Sequence, residues 1–90
     1  MAIERRKMVF HGRVQGVGFR YKARYYASSL GLTGWVKNEY DNTVSMEVQG
    51  ETLMINRMLQ MLNLGSYIEI DWVDSKSIEV VAERSFRVIY

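Results

Sequence analysis

The sequence predicts an α+β domain in which two helices cover one face of an antiparallel β-sheet. Two stretches repeat apolar residues at helical spacing, and they lie between stretches that alternate apolar and polar residues as half-buried strands do. Turn-forming residues join the two middle strands directly, which favours a hairpin there. The predicted order is β-α-β-β-α-β with a short extra strand at the C-terminus.

The first strand and the first helix are separated by a glycine-rich loop. In "KMVFHGRV", Met8 and Phe10 share one face of a strand, and Gly12 closes or bends it. A helix is predicted over "FRYKARYYASSLGL", with Gly31 at the left-handed position that often follows a helix. The apolar stripe of this helix consists of Phe19, Ala23, Ala27 and Leu30, widened by Tyr26.

A hairpin and a second helix follow. "LTGWVKNEY" and "TVSMEVQGE" each alternate, and Asp41 and Asn42 between them favour a turn and tolerate positive φ. The second helix is predicted in "ETLMINRMLQMLNLG", with Gly65 as its stop. Its core-facing residues are predicted to be Ile55, Leu59 and Leu62, with Met54, Met58 and Met61 beside them.

Two strands are predicted in the C-terminal quarter. "IEIDWVDSKSIEVV" supplies a fourth strand that extends to Val73, and "SFRVIY" supplies a short final strand whose pairing the sequence leaves open. The chain contains no proline, repeat or linker-like stretch, so we expect one domain over residues 1–90. The element order is that of the ferredoxin-like, or split βαβ, sandwich, which hosts unrelated functions.

Composition excludes several kinds of site. The chain has no cysteine and one histidine, so thiolate nucleophiles and cysteine ligands are excluded, and neither a metal site nor a cofactor is expected. The N-terminus "MAIERRKMVF" lacks the apolar run of a secretory signal, and no stretch reaches membrane-spanning length. We therefore expect a cytoplasmic protein, without a membrane or nucleic-acid partner, that acts as a monomer on a small molecule.

Positive charge is concentrated at the start of the chain. Residues 1–24 carry seven Lys or Arg against one acid, for +6, whereas residues 25–90 carry five bases and nine acids, for −4. An anion-binding site is therefore expected in the first quarter.

The stretch "GRVQGVGFR" has the features of an anion cradle. Gly16 and Gly18 can adopt positive φ, which lets successive backbone N–H groups turn inward, and the following helix adds its unpaired N–H groups. Arg20 in the first helical turn can bind a phosphoryl group through two hydrogen bonds. The Walker pattern is absent, and the dinucleotide fingerprint needs a glycine where Tyr21 stands. Taken alone, the glycines fit equally well a tight turn beside a solvated arginine.

The same stretch resembles a signature of the acylphosphatase family, and "GLTGWVKNEYDNTV" resembles that family's second signature. The matching residues of the second are Gly34, Trp35, Val36 and Asn38. The resemblance covers nearly the whole chain, most closely from His11 to Gly50. It implies an enzyme, an acid anhydride hydrolase that converts acyl phosphates to a carboxylate and inorganic phosphate. The family's usual Pro-Asp-Gly turn is Tyr-Asp-Asn here, which asparagine tolerates.

The resemblance also implies catalytic roles. Arg20 would bind the phosphoryl group, and Asn38 would position the attacking water. The backbone amides that would share the phosphoryl group are those of Gln15, Gly16, Val17, Gly18, Phe19 and Arg20. Because a carboxylate is a good leaving group, positioning and charge stabilisation suffice without a metal.

Two other interpretations of the sequence are weighed against this enzyme. One is a non-catalytic module that binds a phosphorylated ligand or an RNA backbone. An aromatic stacking platform for RNA is disfavoured, because the central strands offer mainly Phe10, Val44, Met46 and Val48, of which only Phe10 is aromatic. The other is a domain of a larger carbamoyl-transferring maturation protein, disfavoured because cysteine-rich zinc segments are missing. His11 is expected to be structural or partly exposed, not a general base.

Overall fold

Seven elements follow one another in the computed structural model, which describes residues 2–64 and 67–90. They are β1 (Ile3–Arg13), α1 (Phe19–Ser29), β2 (Thr33–Asn38), β3 (Val44–Glu51), α2 (Thr52–Asn63), β4 (Glu69–Ile78) and β5 (Phe86–Ile89). The predicted fold class and element order are therefore confirmed. Neither of these two helices is both long enough and apolar enough to span a membrane.

The sheet has the strand order β4-β1-β3-β2-β5. The first four strands pair antiparallel, as predicted, with Met8 of β1 opposite Met46 of β3 and Ser75 of β4. The extra strand β5 joins the outer edge of β2 in parallel, with Ile89 beside Lys37. The ladder between β1 and β4 is interrupted by an irregularity between His11 and Gly12, which is the bend predicted at this glycine.

Two strands are longer than the sequence predicted. β1 begins at Ile3 instead of Lys7, and β4 continues to Ile78 instead of ending at Val73. The prediction for β4 was wrong because the stretch after Val73 lacks apolar alternation, yet its backbone still pairs with β1 as far as Arg5. An edge strand needs only one such ladder, so its side chains can stay polar.

The core lies between the sheet and the two helices. Phe10 of β1 packs its ring against Phe19 at the start of α1, with centroids 4.9 Å apart, so the beginning of the helix is fixed to the central strand. The other buried apolar residues of the elements include Met8, Val36, Val44, Met46, Val48, Ala23, Ala27, Ile55, Met58 and Leu62. Phe10, Val44, Met46 and Val48 thus face the helices and could not have formed a nucleic-acid platform, so the prediction based on them concerned the wrong face of the sheet.

The end of α1 and the buried face of α2 test further predictions. α1 ends in a Schellman motif: Leu32 N–H donates to the Ala27 carbonyl at 2.8 Å, and Gly31 has φ 71°, as predicted. In α2, Ile55 and Leu62 are buried as predicted, but Met58 is fully buried and Leu59 only half-buried, so the prediction was wrong at the middle position of the stripe. The predicted stop at Gly65 lies outside the described residues.

Residues 79–85, the C-terminal crossover, lead from β4 at one edge of the sheet to β5 at the other. They contact side chains on the face away from the helices. The Gln49 amide donates to the Val81 carbonyl at 2.7 Å and accepts from the Val81 N–H at 2.9 Å. Arg5, only 4% exposed, donates to Glu47 at 2.9 Å and to Glu83 at 2.7 Å. One buried guanidinium therefore joins β1, β3 and the crossover.

The charge of Arg5 is secured by these partners. Burial alone would lower the pKa of Arg5, but the hydrogen bonds with Glu83 and Glu47 raise it above the usual value. A buried arginine paired with two carboxylates contributes mainly by satisfying them, since removing it leaves uncompensated, partly buried charges.

We predict that Arg5→Ala lowers the free energy of unfolding by about 2–4 kcal/mol, because Glu47 and Glu83 lose their common partner. Urea unfolding followed by tryptophan fluorescence measures the change. Arg57→Ala, at an exposed position of α2, serves as the control and should change stability by less than about 0.5 kcal/mol. Equal stability of Arg5→Ala and the parent protein would contradict the prediction.

Candidate active site

The glycine loop, residues 14–18, connects β1 to α1. Val14 is 1% exposed and anchors the loop in the core, whereas Gly16 and Gly18 are exposed and have φ of 71° and 80°. A Cβ added at either glycine would meet no other atom within 4 Å. The positive φ, not crowding, is therefore what requires glycine at these two positions.

The loop leads directly into the N-terminus of α1. Gly18 is the N-cap residue, and its carbonyl accepts the first helical hydrogen bond, from Lys22 N–H at 3.1 Å. Within residues 2–64 and 67–90, no side chain caps this end of α1. The N–H groups of a first helical turn lack intrahelical partners and carry the positive end of the helix dipole. The amides predicted to bind phosphate, those of residues 15–20, all lie in this loop and first turn.

The side chain of Gln15 ties the glycine loop to the β2–β3 hairpin. Its Nε2 donates to the Glu39 carbonyl at 2.6 Å and to the Thr43 carbonyl at 2.8 Å. The hairpin is itself closed by Glu39 N–H donating to the Thr43 carbonyl at 2.9 Å. The sequence prediction for Gln15 concerned its backbone amide alone. No sequence signal could have revealed this bridge, because its acceptors are backbone carbonyls.

The hairpin turn is the one predicted, with Asn42 at φ 73°. Asp41 Oδ1 accepts hydrogen bonds from the Thr43 hydroxyl at 2.6 Å and from the Thr43 N–H at 3.1 Å. These two bonds, the hydroxyl bond first, lower the pKa of Asp41 below its ordinary value. The turn is therefore organised by the side chain of its own aspartate.

Asn38 is the last residue of β2, immediately before this hairpin turn. Its Oδ1 is buried and accepts no hydrogen bond from any residue in the described ranges. A buried amide oxygen is costly unless it is hydrogen-bonded, so such an atom in a folded protein points to a functional constraint. Asn38 Oδ1 is therefore a buried acceptor whose hydrogen-bonding capacity is unused within the described residues.

Arg20 lies at the same end of β2 as Asn38. Its Nη1 is 3.5 Å from the carbonyl oxygen of Ile89, which pairs in the sheet with Lys37, the residue before Asn38. The guanidinium carbon is also 5.2 Å from the centre of the Tyr90 ring. The structure thus brings together three sequence-predicted components, the glycine loop, Arg20 and Asn38, and adds the end of β5, whose position the sequence left open.

Comparison with known proteins decides the family of this chain. A family model described as Acylphosphatase matches residues 6–88. The chain belongs to the acylphosphatase family. It is 41% identical over 81 residues to an acylphosphatase of Clostridium acetobutylicum, covering 88% of this chain and 89% of the relative. The predicted family and the prediction of an enzyme of this family are confirmed.

Solved structures agree with this membership. The crystal structure of acylphosphatase from Bacillus subtilis superposes with a TM-score of 0.89 at 25% identity, covering 99% of this chain and 100% of that one. Full-length HypF, in a phosphate- and nucleotide-bound form, matches with a TM-score of 0.89 at 28% identity, over 99% of this chain but 12% of its own length. The acylphosphatase fold therefore also occurs as one part of a longer protein.

His11 is occupied by structural contacts on the face of the sheet away from the helices. Its Nε2 is hydrogen-bonded to Asp74 Oδ2 at 2.8 Å, and its ring stacks on Trp72 with centroids 4.3 Å apart. These contacts agree with the predicted structural role. On this face, the alternate residues of the central strands β1 and β3 include no Phe, Tyr or Trp. A stacking platform on those two strands is absent.

A cleft of about 490 Å³ lies apart from the glycine loop, between α2 and strands β1 and β4. Its lining combines Met8, Phe10, Leu59, Ile70 and Val73 with polar side chains at the rim. None of the loop residues, Arg20 or Asn38 lines it. The predicted site residues therefore lie outside this cleft.

We predict that Gln15→Ala lowers the free energy of unfolding by about 1–2 kcal/mol, because two loop-to-hairpin hydrogen bonds are lost. Gln15→Glu should be more destabilising, since a carboxylate would face the same two carbonyl oxygens. Urea unfolding measures both changes, with Gln60→Ala on the exposed surface of α2 as the neutral control. Full stability of Gln15→Glu would show that the bridge contributes nothing.

The Asp41 carboxylate gives a pH-dependent prediction. Because its pKa is lowered on folding, it adds stability above its unfolded pKa of about 4, and this contribution is lost as the pH falls through the folded pKa. Thr43→Val should raise the Asp41 pKa while leaving the backbone bond in place, and Thr43→Ser should keep it low. NMR titration of the carboxyl carbon measures the pKa in each variant; an unchanged value in Thr43→Val would rule out the hydroxyl as the main cause.

Proposed function

We propose that this chain hydrolyses the carboxyl–phosphate bond of acyl phosphates, releasing a carboxylate and inorganic phosphate. The observation that carries the proposal is the buried Asn38 oxygen, which has no donor among the described residues and lies at the same end of β2 as Arg20, next to the glycine loop. Family membership supports the same reaction class.

The phosphoryl group is bound by the glycine loop and Arg20. The amides of residues 15–20 donate to its oxygens, and the N-terminal dipole of α1 stabilises its negative charge. Arg20 supplies a full positive charge and two parallel donors. In the free protein Nη1 makes one long contact of 3.5 Å with the Ile89 carbonyl, so a phosphate oxygen can replace that weak acceptor without large cost.

The attacking water is oriented by Asn38. Its Oδ1 accepts one hydrogen of the water, which aims a lone pair of the water oxygen at phosphorus. The new P–O bond forms as the bond between phosphorus and the acyl oxygen breaks, and the electron pair leaves with the carboxylate. A phosphoryl oxygen takes the proton of the water. No side chain is required to change its protonation state.

The bridge through Gln15 sets the distance between these two components. It joins the glycine loop, which holds the phosphoryl group, to the hairpin that follows Asn38. Because the groups are fixed before substrate binds, they stabilise charge in the transition state without reorganising. The proposed site therefore acts by preorganisation.

We predict that the protein hydrolyses benzoyl phosphate in the presence of a chelator, and that the two catalytic substitutions affect different constants. Arg20→Gln should lower kcat/KM by about 1,000-fold or more, since a transition-state guanidinium is lost. Asn38→Ala should lower kcat by about 100-fold or more, because the water is no longer positioned. Loss of benzoyl phosphate absorbance measures turnover, and circular dichroism verifies folding.

Inhibition by inorganic phosphate separates the two roles. Arg20→Gln should weaken it strongly, whereas Asn38→Ala should leave it nearly unchanged, because phosphate itself needs no attacking water. Arg57→Gln, at an exposed position of α2 away from the glycine loop, is the control and should retain turnover. The proposal fails if the parent protein shows no turnover, or if both substitutions leave full activity.

A further inference from the structure

Two exposed tyrosines meet beside Arg20. Tyr21 lies on α1 and Tyr90 follows β5, yet the Tyr90 hydroxyl donates to the Tyr21 hydroxyl at 3.2 Å. The two side chains remain 52% and 80% exposed. We call this pair the tyrosine wall. Aromatic rings held in place with much of their surface in water are available to pack against a ligand.

Two guanidinium groups hold the tyrosine wall at the site. Arg20 lies 5.2 Å from the centre of the Tyr90 ring, and Arg24 lies 5.9 Å from the centre of the Tyr21 ring. Cation–π attraction at these distances favours rings that lie over the cations. The hydroxyl bond then links the two rings across the junction of α1 and β5. The wall is thus fixed to the same arginine that binds phosphate in the proposed reaction.

The geometry of the proposed reaction leaves the acyl group outside the glycine loop. The loop amides and Arg20 surround the phosphoryl oxygens, and the water approaches from Asn38. The bond that breaks must be opposite the incoming water, so the acyl group projects away from Asn38. The glycines supply no side chain to contact it. The exposed Tyr90 ring lies beside Arg20, and the exposed Tyr21 is hydrogen-bonded to Tyr90.

We propose that the tyrosine wall is the acyl-binding surface of this enzyme and that it favours acyl phosphates with a flat, apolar acyl group over those with a short aliphatic one. This inference rests on the proposed function. An aromatic ring stacked on tyrosine gains more than a methyl group does, because it covers more apolar area and aligns two quadrupoles. Selectivity then comes from α1 and the end of β5, while the chemistry comes from the loop and Asn38.

The test compares kcat/KM for benzoyl phosphate and acetyl phosphate in the full chain. We expect the ratio of benzoyl to acetyl to fall by about threefold to tenfold in Tyr90→Ala and in Tyr21→Ala, as aromatic contacts of ordinary strength are lost. Tyr90→Phe keeps the ring and should keep the ratio, although it loses the hydroxyl bond. Tyr25→Ala, an exposed tyrosine one turn further along α1, is the matched control and should keep it too.

Inhibition by inorganic phosphate distinguishes recognition of the acyl group from support of Arg20. If kcat/KM falls equally for both substrates in the alanine variants, and inhibition by phosphate weakens to the same extent, the tyrosines only position Arg20 and the inference is wrong. An unchanged ratio in both alanine variants also overturns it. A parent protein that turns over neither substrate refutes the proposed function and this inference together; turnover with an unchanged ratio refutes the inference alone.

Discussion

The path of the chain from β4 to β5 depends on the ion pairs that the buried guanidinium of Arg5 forms with Glu47 and Glu83. The chain must carry its last strand from one edge of the sheet to the other, and residues 79–85 do so over a face that no helix covers. A crossover without a helix above it has little apolar surface to hold it in place. Arg5 attaches the crossover to the sheet by pairing with Glu47 of β3 and with Glu83 of the crossover. The position of β5 follows from that attachment.

The same constraint reaches the candidate active site through β5. Its carbonyl at Ile89 contacts Arg20, and the Tyr90 ring lies next to the guanidinium. The position of Arg20 is therefore set both by α1, on which it lies, and by its contacts with the end of β5. Gln15 makes a similar long-range connection between the glycine loop and the hairpin. A site can be fixed in this way when each connection spans different elements.

Much of the fold was predictable because local patterns encode it. The spacing of Phe19, Ala23 and Ala27 specified α1, and the conformational tolerance of Asn42 specified the hairpin turn. The features that were missed depend on partners distant in the chain. β4 continues past Val73 because a neighbouring strand satisfies its backbone, and β5 lies parallel to β2 because the crossover delivers it there. Such pairings leave no periodic trace in either segment.

The candidate site likewise contains features that the sequence predicts and features that depend on residues distant in the chain. The glycine loop, Arg20 and Asn38 were recognisable, since their residue types are tied to local backbone conformation or to a family signature. The bonds of Gln15 to two carbonyls and the contact of Tyr90 with Arg20 were not, because any residue supplies a carbonyl and the position of the chain end was open. Sequence therefore indicated the candidate catalytic groups, while the structure showed the contacts that hold them.

Asn38 shows how stability and function are balanced in a protein of 90 residues. A buried amide oxygen without a protein donor costs on the order of 1–3 kcal/mol unless water or a ligand reaches it, and that is a sizeable fraction of the stability of a small domain. The hairpin that follows Asn38 is correspondingly well satisfied: Gln15 binds two of its carbonyls, and Asp41 binds Thr43 twice. The neighbouring hydrogen bonds offset part of that cost. In the proposed reaction, the acceptor that is left over is the group that would orient the attacking water toward a bound phosphoryl group.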